Sequence, residues 1–145
     1  MKLNAVERAA MNNPVRAAHQ HHREAAWFRR LAGGALSGQR VLEVGCGRGI
    51  GVEVILDRLG ADSVTAFDLD ESMVELARRR LHGRPASLSV GDVCEINEPD
   101  NALDTVVDFG IIHHVPDWQH AVAEISRVLP PRRTAAVRGG ATTAA

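Results

Sequence analysis

The sequence predicts an α/β protein with a parallel β-sheet, and three observations support this fold class. Short runs of branched apolar residues alternate with longer segments whose apolar side chains recur at helical spacing. A turn with four glycines in seven residues, 45–51, follows the first apolar run and precedes a helical segment. Strands that alternate with helices of about a dozen residues favour a parallel sheet joined by right-handed crossovers.

The first predicted element is an amphipathic helix over residues 14–32. Asn13 followed by Pro14 is typical of a helix start, and Gly33 is typical of a helix end. The letters "RVLEVG" then predict a buried first strand, because a short branched apolar run ends there at a glycine. A second helix is predicted over residues 51–59, after the glycine turn.

Three further strands are predicted from "SVTAFD", "SLSVGD" and "TVVDFG". Asp70 is the expected N-cap of the helix after the second strand, and Asp117 is that of the helix after the fourth. The expected buried faces of these two helices are Met73, Val74, Leu76, Ala77 and Leu81, and Ala121, Val122, Ile125, Val128 and Leu129.

The bulk composition indicates one globular domain over residues 1–129 in a chain of 145 residues. Residues 130–145 are rich in small residues and arginine, and we expect them to be irregular and disordered. The formal net charge of −1 gives no indication of a nucleic-acid partner. No apolar run is long enough to span a membrane or to form a signal peptide, so we expect a cytoplasmic protein.

Metal binding is not expected from the sequence. Cys46 and Cys94 lie apart without the spacing of a zinc site, and both are expected to be reduced thiols. His19, His21 and His22 form a cluster in the sequence, but they have no acidic or cysteine partner at ligand spacing. A solvated helix face explains them better.

The glycine turn predicts a binding site for a nucleotide-like ligand. Glycine lets the backbone approach a ligand closely, and the helix behind it offers free N–H groups. The dinucleotide pattern GxGxxG fails in each frame, and GxGxG remains at Gly45, Gly47 and Gly49, after Glu43. Asp68 ends the second strand at about the spacing, ~20 residues, expected of an acid that accepts ribose hydroxyls.

Four segments in order, "VLEVGCGRG", "AFDLDESM", "VGDV" and "DTVVDFGIIHHVPD", resemble the N-terminal motifs of class I S-adenosylmethionine-dependent methyltransferases of the small-molecule branch. The resemblance implies a Rossmann-like sheet, of which this chain supplies the first four strands with their flanking helices. It also implies S-adenosylmethionine as cofactor and a small-molecule methyl acceptor.

The resemblance assigns roles to individual residues. It places the methionine part of the cofactor at Glu43, Gly45 and Gly47, and the ribose at Asp68. It places the adenine at Leu69, Met73, Asp92 and Val93, and the amino end of the cofactor at Asp108 and Phe109. His113 and His114 are the candidate catalytic bases, and a structural role at the start of the following helix stays open for both.

The family fold continues beyond the fourth strand with residues that this chain does not show. We therefore expect a truncation or a frame change after Leu129, which leaves the fourth strand as an exposed edge that favours self-association. The activity of the shortened chain stays open. The alternatives are a non-catalytic cofactor-binding or oligomerising remnant and, less favoured, a nicotinamide-binding Rossmann domain.

Overall fold

The fold is built around a sheet of parallel strands. The computed structural model describes residue 19 and residues 23–131 and 136–137. Within these ranges the strands are β1 (Val41–Val44), β2 (Val64–Asp68), β3 (Ala86–Val90), β4 (Thr105–Asp108) and β5 (Ala136–Val137). They lie in the order β3-β2-β1-β4-β5, and every pairing is parallel. The predicted α/β class and its four strands are confirmed.

Helices connect the strands as the sequence predicts. They are α1 (Ala25–Leu31), α2 (Ile50–Asp57), α3 (Glu71–Arg80) and α4 (Trp118–Val128), with a 3₁₀ helix at Ile112–His114 before α4. The predicted start of the first helix at Asn13 and Pro14 lies outside the described residues, as do His21 and His22.

Both predicted N-caps are present. The Oδ1 of Asp70 accepts a hydrogen bond from the amide of Ser72 at 2.9 Å at the start of α3. The Oδ1 of Asp117 accepts one from the amide of His120 at 3.2 Å at the start of α4. Each cap satisfies an amide that the first helical turn leaves without an intrahelical partner.

Two apolar clusters cover the two faces of the sheet. On one face α1, α2 and α3 pack against the strands through residues that include Phe28, Val52, Ile55, Ala77, Leu81, Val41 and Val107. On the other face α4 packs against the sheet through residues that include Leu42, Val44, Val106, Ala121, Ile125 and Val128. The central strands β1 and β4 are therefore buried on both faces, as parallel strands usually are.

The buried faces of the helices are narrower than predicted. Val122 is 39% exposed, because α4 contacts the sheet through Ala121, Ile125 and Val128, and Val122 lies about a quarter-turn around the helix from Ala121. Met73 and Leu76 on α3 are only half-buried. The prediction that these three side chains are core residues is therefore wrong for Val122 and holds in part for the other two.

The structure also differs from the sequence prediction near the C-terminus. In the segment expected to be irregular, Ala136 and Val137 form β5 and pair with Val107 and Asp108 of β4. β4 is thus not a free edge at these two positions, and the predicted self-association loses part of the edge on which it depends. A two-residue strand has too few positions to show an alternating pattern, which is why the sequence does not predict it.

The topology brings the carboxyl ends of β1, β2 and β4 to the same edge of the sheet. The chain leaves β1 toward β2 on one side and later returns to β4 on the other, so the order reverses between β1 and β4. Open parallel sheets bind ligands at such a reversal. Among the described residues, none of the helices has the length and apolar character needed to cross a membrane.

Candidate functional site

The turn that follows β1 depends on glycine for its backbone conformation. Gly45, Gly47 and Gly49 have φ angles of 71°, 51° and 84°, a region that residues with a Cβ rarely adopt. The amide of Cys46 donates to the carbonyl of Phe67 in β2 at 2.9 Å, which fixes the turn against the neighbouring strand. The turn then passes directly into α2.

The glycines of the turn face different surroundings. A Cβ on Gly45 would lie 2.6 Å from Cγ1 of Ile111, so this glycine permits close packing against the segment after β4. A Cβ on Gly47 would meet no heavy atom within 4 Å. Gly47 therefore borders open space at the carboxyl edge of the sheet, where a ligand could approach its backbone.

Asp68 lies beside this open glycine at the end of β2. Its Oδ2 accepts a hydrogen bond from the amide of Gly47 at 2.8 Å, and its Oδ1 accepts one from the amide of Asp70 at 2.9 Å. Each oxygen can accept a further hydrogen bond, because a carboxylate has about four acceptor positions. The predicted ribose acid is thus adjacent to the glycine turn and oriented by it.

Glu43 is a buried acid with an unsatisfied oxygen. It is 2% exposed, and its Oε2 has no hydrogen-bond partner among the described residues. Burial, and then the nearby carboxylates of Asp108 and Asp68, raise the pKa of Glu43 well above its ordinary value. A buried carboxylate without a partner is costly, and a cationic group would complement it.

Asp108 is a second buried acid, at the end of the adjacent strand β4. It is 1% exposed, its Oδ1 accepts from the amides of Gly110 and Ile111 at 2.7 Å each, and its Oδ2 has no partner within the described part of the chain. Burial raises the pKa of Asp108, although the hydrogen bonds from the backbone oppose this effect. β1 and β4 thus each carry a buried acid with one unsatisfied oxygen, and the two acids are close enough to interact electrostatically.

Aromatic side chains cover the site on the side of α1. Phe109 is buried and packs edge-on against Phe28, with ring centroids 5.0 Å apart. Phe28 packs in the same way against Trp27 at 5.6 Å, and Trp27 is 41% exposed. The N-terminal helix thus packs a buried ring against the end of β4 and leaves the neighbouring Trp27 partly exposed.

The residues predicted to face adenine lie just after β2 and β3 and in the first turn of α3. Leu69 is 50% exposed and Met73 is half-buried, whereas the side chain of Val93 belongs to the apolar cluster beneath α4. Asp92 is exposed, and its Oδ1 accepts a hydrogen bond from the amide of Cys94 at 2.8 Å. The carboxylate of Asp92 therefore has acceptor capacity left for a ligand.

An ionic network holds the chain after Asp92 in place. Arg127 on α4 donates to the carbonyls of Ile96 and Glu98 at 2.9 Å each and pairs with Glu124. The Oε2 of Glu124 accepts in turn from the amide of Ile96 at 3.0 Å. The segment between β3 and β4 is thereby fastened to α4.

His113 and His114 end the 3₁₀ helix that follows β4. Both side chains are exposed, and their rings are tilted by 44° with centroids 3.8 Å apart. They follow Asp108 in the chain by five and six positions, so they lie near the site but outside its buried part. Among the described residues, no cluster of three or more His, Cys, Asp or Glu side chains is arranged to hold a metal ion.

Two residues of this site were missed from the sequence. Ile111 fills the space above Gly45, and Gly51 in α2 lies directly against the carboxylate of Glu43. Ile111 gives no signal in the sequence, since an isoleucine after a strand is ordinary. Gly51 does give one, because a glycine inside a helix is unfavourable and calls for a packing reason.

The comparisons with known proteins agree with one another. A family model described as a methyltransferase domain matches residues 41–132. The chain is 36% identical over 111 residues to a probable S-adenosylmethionine-dependent methyltransferase of Mycolicibacterium smegmatis, with 72% of this chain and 42% of that protein covered. It is 31% identical over 96 residues to a fatty-acid O-methyltransferase of the same species, with 66% and 35% covered. The chain thus spans about two-fifths or less of the length of these two relatives.

Similarity to solved structures extends over nearly all of the chain. A crystal structure of a protein from Methanococcus maripaludis superposes on this chain with a TM-score of 0.75 at 19% identity. The superposition covers 97% of this chain and 68% of that one. At this level of identity the likeness supports the fold.

Proposed function

Because the chain belongs to the class I S-adenosylmethionine-dependent methyltransferase family, we propose that it binds S-adenosylmethionine at the carboxyl edge of its sheet and transfers a methyl group to a small molecule. The observation that carries the proposal is the pair of buried, unsatisfied oxygens, Glu43 Oε2 and Asp108 Oδ2, on β1 and β4, the two strands between which the strand order reverses. A ligand with a cationic group and a polar chain complements such a site.

The residues present fit the proposed cofactor. Glu43 and Asp108 are suited to its ammonium group, because buried carboxylates need a cation or a hydrogen-bond donor. The turn leaves room for the methionine part at Gly47, where a Cβ would meet nothing, and Gly45 is proposed to contribute its backbone, because Ile111 lies where its side chain would be. Asp68 is suited to the ribose hydroxyls, because both of its oxygens are held in place by backbone amides.

The adenine is proposed to lie beyond the ribose, at the ends of β2 and β3. The exposed Leu69 and the half-buried Met73 offer apolar surface there. Asp92 has acceptor capacity for an amino group, and the backbone of Val93 follows it. The network of Glu124 and Arg127 supports this proposal, since it fixes the segment after Asp92.

The chemistry needs few catalytic side chains. S-adenosylmethionine, when bound, would supply a methyl group carried on a positively charged sulfur, and this sulfur would be the leaving group when the acceptor displaces it in one step. The protein then has to align the acceptor and exclude water, and the buried rings of Phe109 and Phe28 would exclude water from this side of the site. His113 or His114 is proposed to take a proton from an acceptor that arrives protonated, with a structural role before α4 as the alternative.

The acceptor is proposed to be a small molecule with apolar character. The partly exposed Trp27 extends the apolar surface of Phe28 and Phe109 toward solvent, which suits an acceptor with a hydrocarbon part. One relative is by name a methyltransferase of fatty acids. Fatty acids of different chain lengths are therefore the first acceptors to test.

Calorimetric titration tests the proposed function. S-adenosylmethionine is titrated into the chain and into D68A, with NAD as the competing ligand in a separate titration. Saturable binding that D68A weakens supports the proposal, and transfer of a labelled methyl group to a fatty acid supports the acceptor class. Binding of S-adenosylmethionine without transfer to any acceptor would favour a non-catalytic cofactor-binding module, and preference for NAD would contradict the proposal.

A further inference from the structure

Gly51 occupies a helical position that does not require glycine for its backbone. It lies in α2 (Ile50–Asp57), one residue after the helix start, and it is buried. It does not belong to the positive-φ glycines of the preceding turn. Inside a helix, glycine is less favourable than alanine by roughly 1 kcal/mol. An explanation for Gly51 must therefore come from what surrounds it.

The space above Gly51 is filled by two residues of the site. A Cβ at this position would overlap Oε1 of Glu43, and it would lie 2.8 Å from Cδ of Glu43 and 2.6 Å from Cδ2 of Phe109. These distances are shorter than any that real Cβ atoms show. The carboxylate of Glu43 therefore lies against the backbone of α2 where an ordinary side chain would begin.

Neither neighbour can give way easily. Glu43 is almost fully buried and lies on β1, the strand between β2 and β4, and it interacts electrostatically with the carboxylates of Asp68 and Asp108. The ring of Phe109 is buried and packs edge-on against Phe28. A methyl group at position 51 must therefore displace the carboxylate, the ring or both.

We propose that Gly51 is a positioning residue: the absence of its side chain creates the space that holds the Glu43 carboxylate in the site. The inference rests on the proposed function, since it makes the affinity for the amino-acid end of the cofactor depend on a glycine outside the GxGxG turn. Gly51 contacts Glu43 and acts through it.

The first test compares two ligands in G51A. We expect the affinity for S-adenosylmethionine to fall by about tenfold or more, a loss typical of one displaced charged contact. The affinity for 5′-methylthioadenosine, which lacks the ammonium and carboxylate groups, should stay within about twofold of the wild type. Equal loss for both ligands, or no loss for either, would overturn the inference.

A rescue variant separates positioning from general damage to the helix. In the double variant E43D/G51A the acid is shorter by one methylene, which makes room for the new methyl group. We expect this variant to bind S-adenosylmethionine more tightly than G51A does. If F109L rescues G51A and E43D does not, the displaced group is the phenylalanine ring, and the role assigned to Glu43 is wrong.

A measurement without ligand keeps the two proposals distinguishable. The NMR signal of the side-chain carboxyl carbon of Glu43 is followed in carbon-labelled protein during a pH titration. The signal is assigned by its absence from the spectrum of E43Q. G51A should move both the chemical shift and the titration midpoint of Glu43. An unchanged signal overturns the inference, whatever the chain binds. If the wild type binds no S-adenosylmethionine while the Glu43 signal moves in G51A, the proposed function fails and the positioning of Glu43 by Gly51 stands.

Discussion

The amide of Gly47 donates a hydrogen bond of 2.8 Å to the Oδ2 of Asp68, and this bond joins the glycine turn after β1 to the end of β2. The other oxygen of the same carboxylate accepts from Asp70, the N-cap of α3. The side chain of Asp68 thus connects three parts of the site: the glycine turn, the end of β2 and the start of α3. Its structural role and its proposed binding role can be separated by mutation.

D68A and D68N should differ in stability more than in cofactor binding. D68A removes the acceptor for two backbone amides, and we expect the free energy of unfolding to fall by about 1–2 kcal/mol. D68N keeps one oxygen acceptor and should lose less than half of that amount. Both variants lose the charge that is proposed to hold the ribose hydroxyls, so affinity for S-adenosylmethionine should fall roughly 10- to 100-fold in each.

Urea unfolding and calorimetry measure these two effects independently. E71Q, which changes an exposed acid in the first turn of α3, serves as the control for loss of a negative charge near the helix start. Wild-type affinity in D68N would contradict the proposed role of the charge.

The stability of the chain should depend on pH through Glu43. The folded state raises the pKa of this group well above the ordinary value of 4.5, chiefly by burial. Between the two values the folded chain holds more protons than the unfolded chain, so the free energy of unfolding falls as the pH rises. The stabilisation is fully present below the ordinary value and is lost as the pH passes the raised value.

The side chain introduced in E43Q cannot ionise, so the free energy of unfolding of this variant should fall less than that of the wild type as the pH rises. Its stability relative to the wild type should therefore increase with pH. Asp108, whose pKa is also raised, should account for the pH dependence of stability that remains in E43Q. Urea unfolding from about pH 4 to about pH 8 measures the difference, with E75Q on the exposed face of α3 as the control. A difference between E43Q and wild type that does not change with pH would be inconsistent with a strongly raised pKa.

Asp108 should stabilise the turn after β4 through its hydrogen bonds more than through its charge. D108A leaves the amides of Gly110 and Ile111 without their acceptor, and we expect a loss of about 2–3 kcal/mol. D108N preserves an acceptor oxygen and removes a buried charge, so it should retain most of the stability. Urea unfolding and hydrogen exchange of the two amides test this order. Equal destabilisation by both variants would indicate that the charge is the important property.

Phe28 and Trp27 are neighbours in sequence, but replacing them with alanine should have different effects on stability. F28A removes a buried ring that packs against Phe109, and a loss of about 3–4 kcal/mol is expected. W27A removes a ring that is 41% exposed, and less than about 1.5 kcal/mol should be lost. If Trp27 forms part of the acceptor surface, W27A should lower transfer to fatty acids while leaving S-adenosylmethionine affinity unchanged. Thermal unfolding, together with the transfer assay, distinguishes the two residues.

Local signals in the sequence account for most of the fold. Apolar periodicity predicts the order of strands and helices, and short polar residues predict the caps at Asp70 and Asp117, because both effects act within a few residues of the chain. The GxGxG turn is equally local, since positive φ at Gly45, Gly47 and Gly49 is a property of each residue.

Contacts between distant segments account for what the sequence does not predict. The close approach of the Glu43 carboxylate to Gly51, and the fit of Ile111 over Gly45, depend on how closely α2 and the chain after β4 approach β1. The exposure of Val122 depends on the rotation of α4 on the sheet, which periodicity fixes only to within about one residue. Family resemblance supplies the proposed roles of individual residues, and the structure shows which of these residues lie together.

The order of the strands also has a consequence for how the chain folds. β1 is the central strand, and its neighbour β4 begins at Thr105, which pairs with Val41; the adjoining contact between Arg40 and Asp104 spans 64 residues. Closing so long a loop costs chain entropy before any contact across it contributes, and parallel sheets with distant pairings fold slowly for this reason. During synthesis β1, β2 and β3 can assemble first, and one side of β1 stays unpaired until β4 is made. Glu43 lies on β1 and Asp108 on β4, so these two acids of the site cannot come together before this long-range pairing has formed.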